Sequence, residues 1–487
     1  MSDAASRART PGNPTVQELP PSSVAPGANA VSSGDASGGY QRPTREDFSA
    51  QTWTAGFDSL VAKMEAEYAF TAHKALDWAT LRSTFRPRIA EAEAAKDAAA
   101  YHRALREFVF SFPDGHVSLS GGDSDELRKA QVAAGLGFAV ADLDDGRVVV
   151  RELAPGGSAA RAGMQLGASI IELDDQPIQA AIEQVSVLWH TGTIATKTMR
   201  RLVQLDLLPR AKVGTPASRV TFQNPGATEP RTVTLAYAAD DFSTHDPLLQ
   251  EALDSEPLSH RVLESGHGYL RVPALEVTLK DDYSDASRDQ DPTYTGFRKA
   301  MEDFVARKVP GIVIDVRGNG GGDDKLTADL GGFFVGEAEH YEHLEAYNTR
   351  TRRFEIVPGG DATLRPQAVR YDGPVVVLVS PATISSGEGL PMCIQRRPRG
   401  RVVGFHGTNG SFGLDGGGAT LPGRYVVGYP FGRSLDRSRA IQLDSDRTGQ
   451  GGVVPNPRVP WTVENVTARA SGRDAALELA IQTLRHL

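Results

Sequence analysis

Apolar positions recur at helical spacing in the first quarter of the chain. Steps of three and four residues separate the large apolar residues of 57-FDSLVAKMEAEYAF-70, namely Phe57, Leu60, Val61, Met64 and Tyr68. This spacing predicts an amphipathic helix. Similar patterns predict a second helix over 77–85 and a third over 95–112. Together they predict a helical domain over residues 45–126, with the polar loop 113-PDGH-116 after its third helix.

Short β-rich runs separated by Gly and Asp turns follow this helical region. The runs 138–141, 148–150 and 170–173 are typical of strands, and 217-ASRVTFQNPGATEPRTVTLAY-237 predicts a closing hairpin. The segment from 179 to about 215 is longer than a compact β domain needs and is partly helical in pattern. We therefore predict a β domain with an insertion over residues 127–240.

Strand and helix patterns alternate in the last part of the chain, over residues 255–487. Predicted strands lie in 268–275, 310–316, 374–380 and 401–405, and predicted helices in 294–307, 325–334 and 473–487. Such alternation is typical of an α/β core with a largely parallel sheet. The predicted fold class is therefore multidomain α/β, with a helical, a β and an α/β part.

Residues 1–44 show neither the helical nor the strand pattern of the rest of the chain. They are rich in Pro, Gly, Ser and Ala and nearly free of large apolar residues. Such a segment cannot bury enough apolar surface to offset the entropy of ordering, so we predict a disordered tail.

Composition narrows the classes of function. A chain of 487 residues is too long to fold around a single hydrophobic core, so we expect two or three domains. Its net charge of −9 disfavours nucleic acid as a partner. The single cysteine, Cys393, excludes a disulfide within the chain and a cysteine-rich zinc site. No apolar run approaches the roughly 20 residues that span a bilayer. The N-terminus lacks the apolar core of a signal peptide, so the protein is either cytoplasmic or has a leader that this sequence lacks, and the compartment stays open.

A glycine-rich turn follows one predicted buried strand, in 313-VIDVRGNGGGDD-324. Glycines 320–322 allow the backbone to approach a ligand closely and to present free N–H groups. A phosphate loop would need Lys and Ser or Thr after the glycines, whereas Asp323 and Asp324 stand there. These N–H groups are better suited to an oxyanion hole.

Two adjacent serines lie between a strand and a helix in 380-SPATISSGEGL-390. A serine at that junction is either a nucleophile or an ordinary helix N-cap. Its base is not an obvious lysine, because no lysine occurs from Ser386 to Leu487 and the nearest earlier one is Lys325. A histidine is a natural substitute, since its pKa lies near neutrality. His116 and His406 are the candidates, whereas His102 and His190 are interpreted as structural.

Six segments in order resemble the tail-specific (C-terminal processing) peptidases and the tricorn core protease. They are 113-PDGHVSL-119, 135-GLGF-138, 314-IDVRGNGGG-322, 383-TISSGEG-389, 402-VVGFHGTNGSFG-413 and 452-GVVPNPRV-459. The β domain resembles a PDZ domain, and the α/β part is implied to be a ClpP/crotonase-like peptidase core. The resemblance implies a serine-type endopeptidase that acts on peptides or unfolded chain ends and needs no metal or organic cofactor.

The resemblance also implies roles for individual residues. Ser385 is implied as the nucleophile, the backbone N–H groups of Ser386 and of Gly321 or Gly322 as the oxyanion donors, and Glu388 as a structural residue. Ser411 falls where the Ser–Lys branch of the family has its lysine. His116 lies where the tricorn-like branch has its catalytic histidine and is the favoured base, with His406 as the alternative. Late acids, Asp444 or else Asp446, are implied to orient the histidine; Asp114 is a weaker candidate, and Gly115 replaces the serine expected beside the histidine.

The loop Gly135, Leu136, Gly137 and Phe138 is implied to bind the C-terminal carboxylate of a peptide, which then adds as a strand to the sheet edge. The partners expected are peptide or protein substrates with a free C-terminus. Many bacterial members of this family are extracytoplasmic, which this N-terminus does not show. Two other functions compete: a catalytically inactive relative that binds peptides or a small ligand such as a retinoid, and an α/β-hydrolase esterase. The second is disfavoured because no G-x-S-x-G elbow surrounds Ser385.

Overall fold

The fold is described from a computed structural model that covers residues 39–240, 242, 244, 258–277, 284 and 287–487. Most of the predicted N-terminal tail, residues 1–38, lies outside the described residues. Among the described residues, no helix is both long enough and apolar enough to cross a membrane.

The three predicted helices are present in the N-terminal part, as Trp53–Glu67, Trp78–Ala95 and Ala98–Val109. Each begins where the side chain of its N-cap residue accepts a backbone N–H from the first turn, and these caps are Thr52, Asp77 and Asp97. The apolar stripe of the first helix is buried as the periodicity predicts, with Phe57, Leu60, Val61 and Met64 fully inaccessible. Local pattern and capping therefore account for this segment.

The hydrophobic core of these helices is shared with a distant part of the chain. They pack on a four-stranded sheet formed by Glu46–Asp47, Gly417–Leu421, Tyr425–Tyr429 and Ser118–Gly121, in that order. Ala419, Leu421, Tyr425, Val427 and Tyr429 belong to the same buried cluster as the helices. The loop 113–116 connects the third helix to strand Ser118–Gly121, so its position is fixed by this shared core.

The predicted β domain is a sheet whose main strands run in the order Arg231–Ala236, Ala217–Gln223, Ser169–Leu173, Val148–Leu153, Phe138–Asp142. The closing hairpin is the antiparallel pair of the first two. Strand Phe138–Asp142 is at the end of this order, and helix Lys197–Leu207 of the insertion packs beside it. The small elements of this part are Ser124–Val132, Ala134–Gly135, Ser158–Arg161, Gln176–Pro177, Ile178–Glu183, Arg210–Ala211 and Ala238–Ala239.

The α/β part contains the predicted, largely parallel sheet. Its strands lie in the order Ser259–Val262, Gly268–Arg271, Ile312–Asp315, Val375–Leu378, Gly400–Val403, and only the first pair is antiparallel. Both faces of this sheet are covered, because alternate side chains of strand Ile312–Asp315 belong to two separate buried clusters, one on each face. The covering helices are Pro292–Ala306, Asp324–Gly331, Gly389–Gln395 and Ala475–Leu484.

A further sheet was not predicted from the sequence. The long strand Glu339–Asn348 pairs antiparallel with Arg353–Ile356, Ala362–Leu364 and Gly432–Leu435. Its half-buried side chains alternate too weakly to be distinguished by pattern from a loop. Tyr341, Ala362 and Leu364 of this sheet belong to the buried cluster of the α/β core, and the Tyr347 N–H donates to the carbonyl of Phe431, just after strand Tyr425–Tyr429.

Candidate active site

Ser385 lies between a parallel strand and a helix, as predicted. Strand Val375–Leu378 is followed by a short turn, and Ser385 begins the 3₁₀ turn Ser385–Glu388 that leads into helix Gly389–Gln395. Its φ is +59°, a left-handed conformation that costs a non-glycine residue about 1–2 kcal/mol. Such strain persists where surrounding contacts enforce it and is concentrated at functional sites. The side chain is partly exposed, whereas Ser386 is 1% exposed.

The glycine turn after strand Ile312–Asp315 contacts this serine. A Cβ on Gly321 would lie 2.6 Å from Ser385 Cβ and 3.1 Å from Ser386 N, so only glycine allows this approach. Gly322, at φ +148°, is equally restricted because a Cβ there would collide with the carbonyl of Leu275. The close approach places the backbone of the turn where an oxyanion hole would be needed.

The predicted oxyanion donors differ in availability. The N–H of Gly321 donates to Asn319 Oδ1 at 2.8 Å, so it is already occupied. The N–H groups of Gly322 and Ser386 have no acceptor among the described residues. Of the two predicted glycines, Gly322 is therefore the one whose N–H is free to bind a developing negative charge.

The loop that carries His116 docks directly onto the loop of Ser385. The N–H of Gly115 donates to Ser411 Oγ at 2.8 Å, and the N–H of Ser385 donates to the carbonyl of Ser411 at 2.9 Å. A Cβ on Gly115 would lie 3.0 Å from Ile384 Cδ1, in the residue before Ser385. Ser411, in the position expected of the lysine, thus joins the two loops by hydrogen bonds.

The His116 ring is half-buried beside a carboxylate that sequence analysis did not select. Its Nδ1 is buried and has no hydrogen-bond partner among the described residues. Burial raises the pKa of Asp415, and the nearby charge of His116 is the largest effect that lowers it. Asp415 is therefore an electrostatic neighbour of His116. Its position just after 407-GTNGSFG-413 was the signal available in the sequence.

The predicted orienting acids have other partners. Asp444 is buried, accepts the Phe412 N–H on Oδ2 at 3.1 Å, and has Oδ1 3.8 Å from Lys74 Nζ. Burial raises the pKa of Asp444 well above its usual value, while Lys74 acts to lower it. Asp446 accepts hydrogen bonds from Thr448 and Gln450 in its own turn, which lower its pKa. Asp114 accepts the N–H of His116 at 2.9 Å, so it fixes the loop backbone.

Glu388 holds the segment that joins the two loops. Its buried carboxylate accepts the N–H of Gly410 at 3.0 Å, the N–H of Ser411 at 2.9 Å and the Thr408 hydroxyl. Burial raises the pKa of Glu388 to about 7, although these hydrogen bonds act to lower it. The structural role that the resemblance implies for Glu388 is consistent with these contacts.

His406 lies in a different environment. Its ring packs 4.4 Å from the ring of Trp461, and burial together with Arg458 lowers its pKa to about 3. A base with so low a pKa would accept a serine proton poorly near neutral pH. This environment therefore disfavours His406 as the base.

The glycine loop of the β domain is partly occupied by its own chain. The N–H of Leu136 donates to the carbonyl of Pro209 at 3.0 Å, and a Cβ on Gly135 would lie 2.5 Å from Asp240 Oδ2. Asp240 is paired with the buried guanidinium of Arg210. Strand Phe138–Asp142, which follows Gly137, is at the sheet edge where a peptide strand could add.

Comparison with known proteins agrees with this organisation. Residues 126–189 match the family model of the PDZ domain, and residues 266–447 match that of peptidase family S41. The second range includes Ser385, the glycine turn, Ser411 and Asp444, whereas His116 lies outside both ranges.

Solved structures share the fold over most of the chain. Mature CPAF complexed with lactacystin matches at 14% identity with a TM-score of 0.60, covering 90% of this chain and 99% of that one. A CPAF point mutant matches at 14% identity with a TM-score of 0.62, covering 89% and 98%. At this identity the likeness concerns the fold alone.

The comparisons and the architecture agree on the order of the parts: a helical N-terminal segment, a β domain and an α/β domain. The chain thus carries a PDZ domain and, after it, a peptidase domain of family S41.

Proposed function

We propose that this protein is a serine endopeptidase that cleaves peptides or unfolded chain ends through an acyl-enzyme. Ser385 attacks the scissile carbonyl, and His116 accepts its proton and then returns it to the leaving amine. The N–H groups of Ser386 and Gly322 bind the oxyanion of the tetrahedral intermediate. Water then hydrolyses the acyl-enzyme by the same route.

The observation that carries this proposal is the contact between two loops that are distant in sequence. Ser411 accepts a hydrogen bond from Ser385 on its carbonyl and from Gly115 on its hydroxyl. A nucleophile in a left-handed conformation and a histidine loop are thereby fixed to one residue. A serine that merely capped a helix would need neither the strain nor the second loop.

The histidine needs an acceptor on its second ring nitrogen, so that the other nitrogen can take the serine proton. We propose Asp415 as one candidate for this role, since it interacts electrostatically with His116, whose Nδ1 has no hydrogen-bond partner among the described residues. Asp444 is the alternative, since its Oδ1 is buried and has no hydrogen-bond partner among the described residues. The two carboxylates can be separated by isosteric amide substitutions.

The PDZ domain would select substrates by their free C-terminus. Strand Phe138–Asp142 ends the strand order of its sheet, which supports strand addition on that side, and the glycine loop beside it supports recognition of a carboxylate. Because the Leu136 N–H is bound to Pro209, this loop must release that contact to bind a carboxylate through this group. Peptide binding would therefore change the contacts of the insertion between 179 and 215.

Labelling by a fluorophosphonate probe tests the proposal. The wild type should be labelled, and Ser385→Ala should not. Ser471→Ala, at an exposed serine of the same domain, is the matched control and should label like the wild type. Equal labelling of the wild type and Ser385→Ala would instead support a catalytically inactive binding protein of the same fold.

A further inference from the structure

We propose that Lys74 is a positioning residue of the catalytic site, whose buried ammonium group sets the location of the His116 loop. This inference rests on the proposed function, because it concerns the histidine of that site. Lys74 follows the first helix in sequence and lies outside both family ranges. No pattern in the sequence distinguishes it from the other lysines of the helical segment.

The ammonium group connects three segments that are far apart in the chain. Lys74 Nζ donates to the carbonyl of Pro113 at 2.8 Å, and to the carbonyl and hydroxyl oxygens of Ser445 at 2.9 and 3.0 Å. The lysine side chain is fully inaccessible to solvent. Ser445 Oγ also donates to Pro113 O at 3.0 Å, which closes a small network around that carbonyl.

These bonds account for every proton of the ammonium group. A lysine ammonium has three donors, and three acceptors surround this one. A lysine that acted as a base would need a free lone pair directed at Ser385. Lys74 is therefore not the missing lysine of a Ser–Lys dyad, and its contacts are those of a structural cation.

Two buried carboxylates complete the cluster. Asp114 Oδ2 is 3.9 Å and Asp444 Oδ1 is 3.8 Å from Lys74 Nζ, and both side chains are fully buried. Tyr68 donates its hydroxyl to Asp114 Oδ2 at 2.6 Å. Without the lysine, these carboxyl groups would lose the cation beside them, and the buried carbonyl of Ser445 would lose a hydrogen-bond donor. The cluster is therefore sensitive to loss of this one charge.

The cluster leads directly to both halves of the proposed site. Pro113 and Asp114 precede the histidine, and Asp114 Oδ1 accepts the His116 N–H. On the other side, Ser445 N–H donates to the carbonyl of Gly410 at 2.9 Å, next to Ser411. The ammonium thus fixes the histidine loop against the segment that holds Ser385. A displacement of about 1 Å in such an arrangement can reduce the rate about 100-fold.

Lys74→Met tests this, because it removes the ammonium and keeps most of the side-chain length. The matched control is Lys63→Met, which breaks another buried lysine cluster of the helical segment, with Glu46 and Glu67 at 2.9 and 2.8 Å. Both variants are compared with the wild type by thermal melting, by the rate of fluorophosphonate labelling of folded protein, and by kcat and KM on a fluorogenic peptide.

We expect Lys74→Met to lower kcat and the labelling rate of folded protein by about 100-fold, with KM changed less than about twofold. Lys63→Met should lower the melting temperature and leave both rates unchanged. Ser445→Ala keeps the lysine but removes the hydroxyl that accepts from Lys74 and donates to Pro113. It should lower kcat several-fold with KM unchanged. If Lys74→Met does not fold, this variant is the test of the inference.

The inference is overturned if folded Lys74→Met shows the wild-type kcat and labelling rate. If Lys74→Met cannot be folded, the same result in Ser445→Ala overturns it. Equal loss of rate in Lys63→Met and Lys74→Met would also overturn it, because the effect would then be one of general destabilisation. If the wild type itself is not labelled, the proposed function fails and this inference fails with it. Labelling of the wild type therefore shows whether the proposed function has failed or only the role of Lys74.

Discussion

The backbone N–H of Gly115 donates to the hydroxyl of Ser411 at 2.8 Å, across 296 residues of sequence. This bond joins the N-terminal segment to the peptidase domain at the proposed active site. Ser411 is also hydrogen-bonded to Ser385 through its carbonyl. The proposed chemistry therefore depends on how the N-terminal helices dock, and the following variants address that dependence.

Ser411→Ala should both slow catalysis and lower the stability of the fold. The substitution keeps the carbonyl that binds Ser385 and removes the hydroxyl that binds Gly115, leaving a buried N–H without an acceptor. We expect about a tenfold lower labelling rate and roughly 1–3 kcal/mol lower stability. Ser434→Ala is the control, since Ser434 is also a buried hydrogen-bonded serine, accepting from Gln442. Similar kinetics in both variants would contradict the linking role of Ser411.

Gly115→Ala should reduce activity because the added Cβ has no space. It would lie 2.9 Å from Ser411 Oγ, 3.0 Å from Ile384 Cδ1 and closer still to Asn409 Oδ1. The loop must move away, and with it His116. The control is Gly192→Ala, where a Cβ meets nothing within 4 Å. Full activity of folded Gly115→Ala, measured on a peptide substrate, would show that the histidine loop tolerates displacement.

The two histidines should behave differently in the labelling assay. His116→Ala is expected to lower the labelling rate by at least about 100-fold, which is within the range of general base catalysis. His406→Ala removes packing against Trp461 and should mainly lower the melting temperature. The reverse result, with His406→Ala unlabelled and His116→Ala unaffected, would assign the base to the other histidine.

Asp415→Asn and Asp444→Asn should distinguish the carboxylate that orients His116. If Asp415 has this role, its amide variant should lower kcat and shift the acid limb of the pH–rate profile to lower pH, since a negative charge near the imidazolium is lost. Asp444→Asn should instead weaken the cluster around Lys74 and lower stability. An unchanged acid limb in Asp415→Asn, together with a shifted one in Asp444→Asn, would reverse the assignment.

Stability should depend on pH through Glu388. Its pKa is raised to about 7 by burial, above its value in an unfolded chain, so the folded protein binds more protons between these two values. This group therefore stabilises the fold relatively more at low pH and loses that contribution as pH rises to about 7.

Chemical denaturation at pH 5 and pH 8 measures this effect. Between the two pH values the wild type should lose roughly 2 kcal/mol of stability relative to Glu388→Gln, whose amide does not titrate. The same change of stability in both proteins would show that Glu388 is ionised throughout the range. Labelling of Glu388→Gln should be slow at both pH values, because Gly410 and Ser411 donate to different oxygens of the carboxylate and the amide nitrogen that replaces one of them cannot accept a hydrogen bond.

Much of the fold follows from local pattern. The helix Trp53–Glu67 and the strands Ile312–Asp315 and Val375–Leu378 are predicted by spacing of apolar residues, and the largely parallel sheet is confirmed. The sheet around Glu339–Asn348 is not predicted, because a partly exposed strand has no clear alternation. The helices also share their core with Gly417–Leu421, which no local pattern indicates.

The sequence alone determined the candidates: a serine between strand and helix at 385, glycines at 321 and 322 after a buried strand, no lysine beyond them, and a histidine at 116. It did so because nucleophiles and oxyanion turns need particular residue types at short spacing. Tertiary structure decided which of these meet. In the folded chain Gly115 contacts Ser411, Asp444 lies beside Lys74, and Asp415 lies near His116. Each of these pairs depends on the packing of segments hundreds of residues apart, or on burial, and no local pattern encodes either.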